Sequence, residues 1–169
     1  MWKVDQFYFD PRWIANKDPR ADYVIARVSG AMESHVGSAL SLGTAPALDS
    51  RVCVTGYPLA VGSIPIGCEA RTGITESGFP SLACEGLVNG APWVSSSAVI
   101  ELVGGLQGGG CAQNRLYSAP FDEHTAQLLV RAQAGGFGDS TPCEFDDFCS
   151  GTAWSAAELV ERTHLVHHL

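Results

Sequence analysis

Runs rich in Val, Ile, Phe and Tyr occupy the first two thirds of this chain: VDQFYF (4–9), DYVIARV (22–28), RVCVTGY (51–57), GFPSLACEGLV (78–88), PWVSSSAVIELVGGL (92–106) and NRLYSAPF (114–121). Clusters of Gly, Pro, Asn and Asp separate them, which is the pattern of short extended strands joined by turns. The pattern predicts an all-β fold. One helix is predicted to follow. Pro120 and Asp122 can start it, Thr125, Leu128, Leu129 and Ala132 fall on one face, and Gly135-Gly136 stop it. It should pack on the β domain as a closing element. Beyond it, GGFGDSTPCEFDDFCSGT reads as a loop and AWSAAELVERTHLVHHL is compatible with a short helix.

With 46% hydrophobic and 17% charged residues over 169 positions, the chain can bury a core. Its formal charge of −8 excludes nucleic acid as a partner, because phosphate binding needs clustered Lys and Arg and the 10 present are scattered. Anionic membrane surfaces are disfavoured for the same reason. No apolar run approaches the roughly 18 residues of a membrane span. The start, MWKVDQFYFD, lacks the charged-then-apolar pattern of a signal peptide.

Six cysteines are present, none in a CxxC pair or a zinc-ligand spacing. Disulfides in an oxidising compartment are the leading reading. With no signal in view, that reading leads to the expectation of a further segment upstream of Met1.

Several segments, in this order, resemble bacterial secreted trypsin-like serine peptidases of the chymotrypsin fold. DPRADYVIARV is similar to the strand carrying the triad aspartate, and LGTAPALDSRVCVTGYP to the opening strand of the second barrel. PIGCEARTGI, FPSLACEGLVNG and PWV resemble the stretch bearing one disulfide and then the nucleophile. VIELVGGLQGGGC, YSAPF and the helix resemble the substrate-lining strand, a specificity loop and the C-terminal helix. The shared order spans residues 4–134. The resemblance implies a chymotrypsin-like antiparallel β-barrel with a C-terminal helix, secretion, and peptide-bond hydrolysis by a Ser-His-Asp triad with backbone N–H groups as the oxyanion hole.

Looked for part by part, the triad is incomplete. Asp22 matches the aspartate and is the one catalytic residue the resemblance assigns. The histidine belongs upstream of it, yet none precedes His35, which reads as an exposed loop residue. Family members commonly read Gly-Thr-Ser-Gly, a small residue, then Pro-Trp; here Gly90-Ala91 runs straight into Pro92-Trp93, so the serine is absent. Ser95, Ser96 and Ser97 lie on the wrong side of Pro92-Trp93 and read as turn or strand-edge positions. By local rules Asn89-Gly90 is a hairpin turn. Loss of the nucleophile or base alone typically costs about a million-fold in turnover. The chain as written is therefore expected to be inactive.

The resemblance also implies a Cys68–Cys84 disulfide. Cys111 resembles the specificity-loop cysteine, with Cys53 as a candidate partner. Cys143 and Cys149 bracket EFDDF, read as a small disulfide loop, the alternative being a calcium site from Glu144, Asp146 and Asp147. GGLQGGG lacks the Lys-Ser/Thr of a phosphate loop and reads, by the resemblance, as backbone close to a bound peptide. Gly86 falls near the base of the side-chain pocket. His164, His167 and His168 have helical metal-ligand spacing but read as a solvated tail. No cofactor and no metal is assigned.

The expected organisation is a remnant of the first barrel and the inter-barrel connection (1–36), the second β-barrel (37–121), the C-terminal helix (122–135) and a tail (136–169). The functional expectation is a truncated, inactive member of the serine endopeptidase family. The alternative is a non-catalytic module that binds a substrate-like peptide or protein in the cleft lined by Val103–Gly110. A purely structural β domain is the third reading.

Overall fold

A computed structural model describes residues 3–57, 64–84, 87, 89–104, 112 and 114–140, and the strand backbone of 144–147 and 152–155. Strand β1 (Val4–Phe9) leads into helix α1 (Pro11–Asn16), and after a 3₁₀ turn at Pro19–Ala21 the chain returns as β2 (Val24–Val28). Short helix α2 (Met32–Val36) precedes β3 (Ser41–Leu42), β4 (Arg51–Gly56), β5 (Ile66–Arg71), β6 (Gly73–Ile74) and β7 (Pro80–Leu82). Next come β8 (Pro92–Ser95), β9 (Ala98–Leu102), β10 (Leu116–Tyr117), α3 (Glu123–Gln133), β11 (Glu144–Asp147) and β12 (Thr152–Ser155).

The strands form a five-stranded sheet in the order β3-β9-β8-β4-β5, a three-stranded sheet β10-β7-β6, and two-stranded pairs β1-β2 and β11-β12. All pairings are antiparallel except β3 with β9. Strand β4 shows why its sheet has a dry side: Val52, Val54 and Gly56 point inward while Arg51, Cys53 and Thr55 are exposed, the period-two alternation of a half-buried strand.

The two larger sheets share one apolar core. Val52, Val54, Leu82, Cys84, Trp93, Ile100, Val103 and Leu116 meet there, with Trp93 and Leu82 fully buried. A second core joins the β1-β2 ribbon to the helix through Tyr8, Tyr23, Ala119, Phe121, Leu128 and Ala132, with Val99 and Leu102 packed against it. One strand serves both. Trp93 pairs with Glu101 and Val94 with Val99, so Ile100 is an extra residue on β9. That bulge changes the phase of the strand, sending Ile100 and Val103 to one core and Val99 and Leu102 to the other.

The predicted helix forms with the expected start, face and stop. Asp122 caps it by accepting from the His124 and Thr125 N–H groups, and Thr125 Oγ accepts from the Asp122 N–H, which completes a capping box. Thr125, Leu128 and Ala132 are buried, and Gly135 follows at φ +79°. Helices α1 and α2 were not expected from the sequence, because single-turn helices carry too few apolar repeats to show a period. The run PWVSSSAVIELV, read as one extended stretch, is two strands broken by a turn in which Ser96 has φ +55°. The loop expected from Gly135 onward contains β11, and Thr152–Ser155 is strand β12 where a short helix was expected to begin.

Candidate active site

Asp22 sits at the junction of the 3₁₀ turn and β2. Its φ of −76° and ψ of 66°, with the Tyr23 N–H donating to the Ala21 carbonyl at 2.8 Å, make it the centre of an inverse γ-turn. Both neighbours are anchored: Ala21 is buried, and Tyr23 is buried with its ring edge-on to Phe121. The half-buried Asp22 lies against Gly104. A Cβ built on Gly104 would lie 3.6 Å from Asp22 Oδ2 and 3.8 Å from its carbonyl oxygen.

Val103 and Gly104, just past β9, connect this aspartate to the turn at Asn89-Gly90. Asn89 and Gly90 form a turn with Gly90 at φ +82°, a conformation that favours glycine. The Gly90 N–H donates to the Val103 carbonyl at 2.7 Å, and the Val103 N–H donates to the Ala91 carbonyl at 2.9 Å. Gly104 in turn donates to the Tyr117 carbonyl at 2.8 Å. The turn is thus zipped onto Val103. Its Gly90 donor is spent on the protein's own backbone, and Pro92, two residues on, has no N–H to offer. Oxyanion stabilisation needs donors aimed at an open position, and neither residue supplies one.

No protein-family model matches the chain, and no curated protein matches it in sequence. Solved structures do match. A thermostable serine protease, AL20, from an extremophilic microorganism is 16% identical with a TM-score of 0.66, over 80% of this chain and 68% of its own. Protease Anisep from Arthrobacter nicotinovorans is 19% identical with a TM-score of 0.65, over 79% and 68%. A Glu endopeptidase is 10% identical with a TM-score of 0.66, over 79% and 64%. The fold is that of the chymotrypsin-like serine proteases.

In this protease fold the remaining sequence candidates fall as follows. His35 lies exposed on α2, its Nδ1 3.2 Å from the Ala31 carbonyl of the same helix. Ser96 and Ser97 form the β8–β9 turn, and the Ser97 carbonyl accepts from the Ser41 N–H at 3.0 Å, so the run is the turn it was read as. Cys68 of β5 is bonded to Cys84, as the resemblance implied. Cys53 is a free, exposed thiol, and Cys111, its candidate partner, lies outside the described residues. Gly86, 105–111, Cys143, Cys149, His164, His167 and His168 lie outside the described residues, as do the side chains of Glu144, Asp146 and Asp147. Among the described residues no three His, Cys, Asp or Glu side chains cluster as a metal site. No described helix is long and apolar enough to cross a membrane.

Two polar centres near the site escaped the sequence reading. Asp10 is buried; it caps α1 through the Arg12 N–H, accepts from the Arg12 guanidinium at 2.9 Å and accepts from the Tyr23 hydroxyl at 2.8 Å. Burial pushes its carboxyl up, but the Arg12 and Tyr23 bonds and the Arg12 charge outweigh that and hold it at about 2. Burial and the bond to Asp10 raise Tyr23 to about 12, against an opposing bond with Thr125. This network fixes the strand that delivers Asp22.

Glu101 is the second centre, 0% exposed and in no ion pair among the described residues. Burial drives its carboxyl up to about 8, against the bonds with Ser118 and the Phe121 N–H, and the Asp122 charge pushes the same way as burial. Ser118 Oγ lies 2.8 Å from the Ala119 carbonyl, which can only accept, and 3.2 Å from the Leu102 N–H, which can only donate. Ser118 Oγ donates to Glu101 Oε2, a bond that favours the charged form and so opposes the rise that burial causes. An acid inside the apolar run VIELV was the one available sequence signal.

Proposed function

We propose that this chain is a serine-protease-fold protein that does not hydrolyse peptide bonds. The observation that supports this is the Asn89–Ala91 turn zipped onto Val103. It occupies the place where the resemblance expects a serine and its oxyanion donors. Asp22 alone has no catalytic competence, since an aspartate in this chemistry orients a histidine and a serine attacks. A serine-directed fluorophosphonate probe should leave the protein unlabelled, and chromogenic peptide substrates should be turned over no faster than in buffer. Labelling at the rate of an active serine protease would overturn the proposal.

A second reading, peptide binding without chemistry along Val103–Gly110, is favoured by the intact core beneath the turn. Val52, Val54, Leu82 and Trp93 are all buried there. Capture of the protein by an immobilised extended peptide, weakened by Gly104→Ala, would support it; capture indifferent to that change would count against it. The Cys68–Cys84 bond fits an oxidising compartment and carries our assignment of the protein to the outside of the cell.

A further inference from the structure

Strand β1 has β2 along one edge. The other edge is covered by residues 136–139, which come from the far side of α3. The Asp139 N–H donates to the Phe7 carbonyl at 2.8 Å, and the Phe9 N–H donates to Asp139 Oδ2 at 2.8 Å. One residue thus supplies both the donor and the acceptor that a neighbouring strand would give. The Gly138 N–H donates to Gln6 Oε1 at 2.6 Å, the Tyr8 hydroxyl donates to the Gly136 carbonyl at 2.7 Å, and Arg131 of α3 reaches both the Asp139 carboxylate and the Phe9 carbonyl. Gly138 is jammed against the strand: a Cβ there would lie 2.5 Å from the Phe7 carbonyl oxygen and 3.0 Å from the Phe7 nitrogen.

Polar edge bonds hold this strap, and apolar burial adds little, because its one large side chain, Phe137, is 98% exposed. A two-stranded ribbon is marginal by itself and a bare edge invites strand addition. The ribbon's outer face is open as well. Opposed residues share a face, so Phe7 lies with Ala26 and Phe9 with Val24, and Phe7, Val24 and Ala26 are exposed.

We propose that Gly136–Asp139 is a displaceable cover over a strand-addition edge, and that the occupant it excludes is β1 of a second copy. Antiparallel self-pairing centred on Phe7 would turn the ribbon into a four-stranded sheet. Phe7 then faces Phe7, Gln6 faces Tyr8 and Asp5 faces Phe9, so no like charges are opposed. The outer faces of both ribbons join into one apolar surface across the symmetry axis. Each copy carries −8, so added salt strengthens the association by screening the repulsion.

The test is sedimentation of the full chain at several concentrations and salt levels, with amide hydrogen exchange at Phe7 and Phe9. Wild type should be a monomer with the Phe9 amide protected. Gly138→Val should evict the strap and self-associate at least about tenfold more tightly, and Phe7→Lys added to it should restore the monomer. Asp139→Ala, which needs no room for a new side chain, should behave like Gly138→Val and covers the case in which the valine variant does not fold. A folded Asp139→Ala variant that stays monomeric, a dimer indifferent to Phe7→Lys, or a wild type that associates equally well would each overturn the proposal.

Discussion

Replacing Glu101 by Gln should stabilise this protein at neutral pH and flatten its pH dependence. Gln can occupy the same place: Oε1 still accepts from the Phe121 N–H, and Nε2–H can donate to Ser118 Oγ once the hydroxyl proton, which now goes to Glu101, turns to the Ala119 carbonyl. What the substitution removes is the ionisable proton. The folded carboxyl titrates at about 8 against 4.5 for an unperturbed glutamate. Below 4.5 both states are neutral and the group costs nothing. Between 4.5 and 8 the unfolded chain ionises while the folded one holds its proton, so stability falls as pH rises, by about 1.4 kcal/mol per unit. The loss reaches about 3 kcal/mol at pH 7 and levels off near 5 kcal/mol above pH 8. The assay is urea unfolding, followed by tryptophan fluorescence, of both proteins at half-unit intervals from pH 4.5 to 8.5. Titration of every other group is common to the pair and cancels in the difference. The curves should coincide near pH 4.5 and diverge steadily to pH 8, with Glu101→Gln the more stable. A difference that does not change with pH, or a variant less stable than wild type at pH 8, would refute the buried neutral acid.

Asp10 behaves in the opposite sense. Its folded value of about 2 lies below the ordinary 3.8, so its contribution is complete above about pH 3.8 and is lost as pH falls through 2. Asp10→Asn should cost on the order of 2 kcal/mol at pH 7, a cost that shrinks as pH falls from about 3.8 through 2, measured by the same unfolding assay. Removing the Cys68–Cys84 bond by Cys68→Ser with Cys84→Ser should lower the unfolding free energy by about 3 kcal/mol, because the bond closes a short loop in the unfolded chain. An unchanged urea midpoint for the double variant would show that the bond does not restrain the unfolded state.

Features written in neighbouring residues could be read directly. Helix α3 is the clearest case, since a cap, a 3.6-residue period and a terminal glycine are contacts among residues a few positions apart. Strand β1 was legible for a similar reason: its Val, Phe and Tyr run stops at Asp10 before Pro11, and no alternative period competes. The candidate site was legible only in part. Asp22 could be named from the run that follows it, but its aim at Gly104 depends on a strand eighty residues on in the sequence. The β9 bulge was not legible, because the pairing of Trp93 and Val94 decides which residue is extra, and AVIELV reads as continuous strand until its partner is known.

The amino-acid sequence by itself determined the strand-rich class, the capped helix, the turn at Asn89-Gly90 and the absence of a serine before Pro92-Trp93, since each is a local pattern or a plain matter of which residue is present. Only the tertiary structure decided that the turn's Gly90 donor is spent on Val103, that burial raises the Glu101 carboxyl, and that Asp139 closes the edge of a strand 130 residues away from it. Those outcomes rest on desolvation and hydrogen-bond completion between distant segments. Neither exists until the chain has folded and excluded water.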